Sequence, residues 1–221
     1  MTNTRRHMPA GFSLVEMAVV LVIVGLLLSG LLPALSGKLE QQHRNDTLKQ
    51  IDDIREALTG YAIINGRLPC PASPSISSGT SGAGMADCTL SSGVLPWATL
   101  GVSETDAWGR RYTYAAASSF TSANFTLTSS GNLNIKSAAT GGASLALNMP
   151  AVFISHGSNG YGAYTTQGTQ IPLGNSADET ENSNGDTLFV AHDLSPAYDD
   201  YVTWVSPNIL SSRMVAAGKL P

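Results

Sequence analysis

An α+β fold, with one long N-terminal helix carrying an antiparallel sheet on its outer half, is predicted from three features of the 221-residue chain. Residues 12–35 are apolar almost throughout and charged only at Glu16. Residues 36–65 change to apolar positions spaced by three and four. The remainder, residues 66–221, breaks into short β-prone runs separated by Gly, Ser, Pro and Asn. This length suits one terminal membrane segment plus one globular domain and argues against a second independent core.

As a helix the 12–35 run is about 36 Å long, enough to cross a hydrocarbon core of about 30 Å. Arg5, Arg6 and His7 lie upstream, and positive charge on the near side holds the N-terminus in the cytoplasm and sends the chain beyond Pro33 across the membrane. Ala34-Leu35-Ser36 could serve as the cleavage site of a secretory signal, but such a signal has an apolar stretch of only about 7 to 15 residues and this run is too long for it. A plain signal anchor explains length and orientation but not Glu16, since an ionisable group in an apolar spine is costly and implies a partner. Beyond the run, Leu48, Ile51, Ile54, Leu58 and Tyr61 form an apolar stripe. Lys38, Gln41, Gln42, Arg44 and Asn45 keep the rest polar, and Asn65-Gly66 before Leu68-Pro69 ends the helix. A helix of about 80 Å is explained by one half in lipid and one half packed on a domain.

In the domain, residues 70–93 read as a loop, and Cys70 and Cys88 as one disulfide worth roughly 3 kcal/mol in an oxidising compartment, the alternative being two buried thiols. Strands are expected at 110–116, 151–155, 187–191 and 201–205. A hairpin is expected with Phe125, Leu127, Leu133 and Ile135 bracketing Ser129-Ser130-Gly131-Asn132. Residues 73–84 and 137–144 read as loops. Ser206-Pro207 opens a terminal helix over 208–217. Trp97, Trp108 and Trp204 are expected in the core.

Several functions are excluded by composition. The formal charge of −4 becomes −6 without Arg5 and Arg6, so the exported part lacks the basic footprint that nucleic acid requires. His7, His43, His156 and His192 make no zinc pair at helical spacing. Gly157-Ser158-Asn159-Gly160 is no nucleophile elbow for Ser155, Ser158 or either nearby histidine. No catalytic role is expected, and a membrane-anchored periplasmic enzyme or binding module is the rival class. Residues 178–186 are acidic, but Ala191 stands where an EF-hand would end in glutamate, so they read as a solvated loop.

Gly11-Phe12-Ser13-Leu14-Val15-Glu16 resembles the prepilin signature of type IV pilins and type II secretion pseudopilins. The resemblance implies that a prepilin peptidase removes residues 1–11 by cutting after Gly11 and methylates Phe12. It also implies that Glu16, the fifth mature residue, pairs with the N-terminal amine of a neighbouring subunit. Gly25 and Pro33 fall where many members carry glycine and proline, which would let the helix bend on assembly.

Three internal stretches resemble the major pseudopilin. They are Asp106-Ala107-Trp108-Gly109-Arg110-Arg111-Tyr112-Thr113-Tyr114, Ser155-His156-Gly157-Ser158-Asn159-Gly160 and Asp199-Asp200-Tyr201-Val202-Thr203-Trp204. In that family the last two hold calcium, which implies Asn159, Asp199 and Asp200 as ligands. Asn159 stands in place of a carboxylate, and residues 161–194 are an insertion. The implied whole is a pilin-like α+β subunit of a pseudopilus or type IV pilus-like filament that serves type II secretion. Before assembly it would wait as a single-pass protein of the bacterial inner membrane, its domain in the periplasm. Its partners would be other pilin subunits, the prepilin peptidase and an inner-membrane assembly platform. The alternative is a minor type IV pilin for motility, adhesion or DNA uptake.

Overall fold

Helix α1 (Leu14–Asn65) runs without interruption for 52 residues in a computed structural model that describes residues 11–122 and 125–220, without the side chains of residues 28–35. Arg5, Arg6, His7 and the rest of the expected leader up to residue 10 lie outside the described residues. The helix stops as the sequence predicts. Gly66 adopts φ +69°, and its N–H donates to Ala62 O at 2.8 Å, a left-handed cap that glycine makes without steric penalty. The chain divides into two units, one ending at Gln42 and the other running from His43 onward.

In the second unit the buried stripe of α1 is Thr47, Ile51, Ile54, Leu58 and Ala62, spaced four, three, four and four. Leu48, expected in this stripe, is 47% exposed. Thr47 takes the inward position instead, and its Oγ1 accepts the N–H of Ala107 at 3.3 Å.

The stripe covers one face of a four-stranded antiparallel sheet, order β1-β2-β5-β7, made of β1 (Ser92–Val94), β2 (Thr113–Ala116), β5 (Ala151–Ser155) and β7 (Tyr201–Val205). Tyr112, Tyr114, Phe153 and Val205 meet α1 there. They also meet Leu210 and Met214 of α5 (Pro207–Ala216). On the other face Ala115, Val152 and Ile154 pack against Leu133, Ile135 and Phe189. Those residues belong to a second sheet, order β4-β3-β6, made of β3 (Leu133–Lys136), β4 (Ser144–Met149) and β6 (Leu188–Val190). Strand β5 is therefore buried on both faces, which is why residues 151–154 are continuously apolar rather than alternating.

Three expectations change. The hairpin around residues 129–132 does not form. Residues 125–132 contain no strand, and β3 pairs antiparallel with β4 and parallel with β6. Residues 137–144 are a loop only as far as Ala143, because β4 starts at Ser144. This strand leaves Leu145 and Leu147 exposed, so its alternating apolar residues do not line a buried face. Of three short helices, α2 (Trp97–Leu100) and α3 (Ser118–Thr121) lie where no element is expected, and α4 (Ala177–Glu181) enters the 178–186 stretch expected as a solvated loop.

Cys70 and Cys88 form a disulfide, closing a sequence separation of 18 residues. Their loop is held from beneath by Arg111, whose fully buried guanidinium donates to Pro74 O at 2.8 Å and to Thr166 O at 3.1 Å. It also pairs with Glu104 at 2.9 Å and lies 4.6 Å over the Trp97 ring. The tryptophans are half-buried rather than fully enclosed: Trp108 stacks on Tyr201 at 6.0 Å and meets the edge of His43 at 5.9 Å.

Candidate functional site

Two places combine special chemistry with defined geometry. The first is the start of α1. Ser13 N donates to Glu16 Oε2 at 2.8 Å, and Glu16 N donates to Ser13 Oγ at 3.2 Å. This reciprocal pair is a capping box, which satisfies two backbone donors that no helical turn supplies. The Ser-x-x-Glu spacing of Ser13 and Glu16 is the sequence signal that encodes it. Glu16 thus spends its carboxylate on its own helix end in the isolated chain. Around it Phe12, Leu14, Val15, Leu21, Leu26 and Leu27 are each more than two-thirds exposed. Among the described residues no helix is long and apolar enough to cross a membrane.

The second place is built where the three internal stretches converge. Asp106 Oδ1 accepts the N–H groups of Trp108 and Arg110, each at 3.0 Å. Its Oδ2 accepts from Ser155 Oγ at 2.6 Å, tying the Asp106 turn to the end of β5. Burial pushes the Asp106 carboxyl up, and the hydrogen bonds from Ser155, Arg110 and Trp108 oppose that shift. One residue beyond Ser155, His156 is fully buried. Its Nε2 shares a 2.8 Å hydrogen bond with Thr113 Oγ1. Its Nδ1 is 3.4 Å from Asp200 Oδ1 but outside hydrogen-bonding geometry, so both atoms lack a bonded partner. Gly157 then turns the chain at φ +57°. A Cβ there would stand 2.3 Å from Asp199 O, so only glycine lets this turn close over Asp199.

Of the expected ligands, Asp199 and Asp200 come together. Asp199 Oδ2 accepts from Ser158 Oγ and Asn159 N, each at 2.9 Å, and Asp200 Oδ2 accepts from Asn182 Nδ2 at 2.8 Å. Asn159 stands beside them but turns its amide nitrogen inward. Its Oδ1 accepts the N–H of Tyr161 at 2.8 Å, while Nδ2 donates to Glu179 Oε1 at 2.9 Å. Glu179, which sequence reasoning placed in a solvated loop, is only 2% exposed. Together with Asp199 and Asp200 it forms a group whose ligating atoms all lie within 4.8 Å of one another. Burial pushes the Glu179 carboxyl above the usual range, the bonds from Asn159 and the Asp199 N–H oppose this, and the charges of Asp200 and Asp199 add to it.

The donor set fits a hard cation. The three carboxylates offer only oxygen, as calcium prefers. Asp199 Oδ1 and Asp200 Oδ1 are buried without a hydrogen-bond partner, an arrangement that carboxylates tolerate poorly unless a cation joins them. An open cleft of about 440 Å³, lined by Arg44, Ser158, Asn159, Pro196 and Asp199 among others, gives access from solvent.

Comparison with known proteins adds to this geometry. The prokaryotic N-terminal methylation motif matches residues 6–32. Over 65 residues the chain is 37% identical to type II secretion system core protein G of Klebsiella michiganensis, a match covering 29% of this chain and 46% of that protein. The chain thus spans about half the length of the curated relative it matches. No solved structure matches it. Gly11, Phe12 and Glu16 all fall inside the matched stretch, and the chain therefore carries a prepilin-type N-terminal methylation motif on a pilin-like α+β fold.

Proposed function

We propose that this chain is a membrane-stored structural subunit of a pseudopilus serving type II protein secretion. The observation that carries the reading is the position of Glu16, a lone carboxylate inside the matched methylation motif on an otherwise apolar helical spine. Cleavage after Gly11 by the prepilin peptidase frees an amine on Phe12. A neighbouring subunit's Glu16 then meets that amine in the filament, so two charges that are costly alone in an apolar setting are neutralised together. Assembly is favoured by the same pairing that makes each isolated charge unfavourable. The inner membrane holds the 12–35 run, the domain from residue 66 onward lies in the periplasm, and an assembly platform in that membrane extracts the subunit.

No catalytic role is assigned. His156 and Ser155 are wholly buried and tied to Thr113 and Asp106. His192 is joined to Asp178 at 3.2 Å. Asp199 and Asp200 are proposed to bind calcium, whose charge would offset theirs and fasten the 156–160 turn to the segment entering β7.

The inserted residues 161–194 favour a second reading, a minor type IV pilin, since they enlarge the domain. A deletion strain separates the two. Retention of exoproteins inside the cell, restored by the wild-type gene, is the expected result. Intact secretion with loss of twitching, adhesion or DNA uptake would replace the first reading by the second.

A further inference from the structure

We infer that Glu179, delivered by the 161–194 insertion, is a calcium ligand of this chain, and that Asn159 is a positioning residue that aims it. The inference rests on the calcium reading of Asp199 and Asp200 and extends it to a residue outside the stretches that resemble a known family.

The two aspartates share one pattern. Asp199 and Asp200 each give one oxygen to protein donors and leave the other, Oδ1, buried and unbonded. Glu179 completes the group from the insertion side. Its Oε1 accepts from Asn159 Nδ2 at 2.9 Å and from Asp199 N at 3.1 Å, and Oε2 takes no hydrogen bond among the described residues. Three like charges crowded within 4.8 Å, with two buried oxygens left over, form a poor structural motif and a sound cation cage. A merely structural carboxylate would have both oxygens satisfied, as Asp106 has.

Local structure explains how an inserted residue reaches the site. Ser176 caps α4, its Oγ accepting the N–H of Glu179 at 3.4 Å. One turn later Asn182 anchors the helix by bonding Val190 N, Val190 O and Asp200 Oδ2. The insertion is thereby stitched to β6 and to the second aspartate at once. Where the resemblance leads one to expect a carboxylate at 159, this chain holds an amide that instead grips a carboxylate brought from elsewhere.

The test uses the full-length chain in detergent micelles, with calcium chloride titrated against EDTA and read by calorimetric binding and melting. Wild type is expected to bind calcium and melt higher in its presence. Glu179→Gln keeps the acceptor for Asn159 and removes one charge. It should weaken calcium binding by roughly tenfold or more, yet melt higher than wild type in EDTA, an opposed pair of changes that simple packing damage does not give. Asn159→Ala leaves all three charges in place and should lose less affinity than Glu179→Gln. Wild-type affinity in Glu179→Gln would retire Glu179 as a ligand while the calcium reading stands. Wild-type affinity in Asn159→Ala would retire its positioning role. No binding by wild type would overturn both the inference and the reading beneath it.

Discussion

With Glu16 replaced by glutamine, the subunit is still inserted and still cut after Gly11, but sedimentable filaments fall to background. Glutamine is chosen because it separates two roles of this side chain. In the isolated chain the Glu16 carboxylate caps its own helix by accepting the N–H of Ser13, and glutamine serves the same position of a capping box. The start of α1 is therefore preserved. What glutamine cannot do is carry the negative charge that a neighbour's freed Phe12 amine requires. Assembly asks Glu16 to exchange a neutral donor in its own chain for a cationic one in another, and charge assistance makes the second bond the stronger. A glutamine variant that polymerises at the wild-type level would assign Glu16 to capping alone.

Replacing Cys70 and Cys88 together by alanine should lower the stability of the periplasmic domain by about 3 kcal/mol, from the chain entropy of closing a loop of this length. In calorimetry that corresponds to a melting temperature lower by roughly 6–12 °C for a domain of this size. The bridge pins a segment with little apolar content of its own. Beyond it the loop is held by the pairing of Ala72 with Ala86 and Val94 and by the buried Arg111 guanidinium. Those contacts survive in the folded variant, so the loss falls on the unfolded ensemble, and a reductant acting on wild type should reproduce the shift. A fall of less than about 2 °C would show that Arg111 and the Ala72 pairing hold the loop without the bridge.

The parts of this fold legible in sequence were those with a strong period or a strong breaker. The apolar spine and the stripe at Ile51, Ile54 and Leu58 define α1, and Asn65-Gly66 ends it. β7 and α5 follow from the run 201–205 and from Ser206-Pro207. Legibility failed where burial does not follow local pattern. In β4 Leu145, Leu147 and Met149 alternate with smaller or polar residues, yet the strand is exposed along most of its length, so its pattern marks no buried face. β3 was paired with its neighbour in sequence, whereas its parallel partner β6 lies more than fifty residues away, a choice that tertiary packing makes and local propensity cannot.

The acidic site divides the same way. Asp199 and Asp200 are legible because they are adjacent and match the stretch that resembles the major pseudopilin. Glu179 is invisible to a spacing rule for one contiguous calcium loop over 178–186, because the structure assembles its carboxylates from segments twenty residues apart. At the N-terminus the reverse holds. The signature was plain in sequence, and the structure adds that Ser13 holds Glu16 before any partner arrives.

The mass of the mature N-terminal peptide, taken from membranes of cells that carry the prepilin peptidase, bears most directly on the assignment as a processed filament subunit. A chain beginning at Phe12 with a methylated amine is the expected result. A chain that keeps residues 1–11, or one that begins at Gly37, would contradict it, the first indicating a plain membrane anchor and the second a secreted domain.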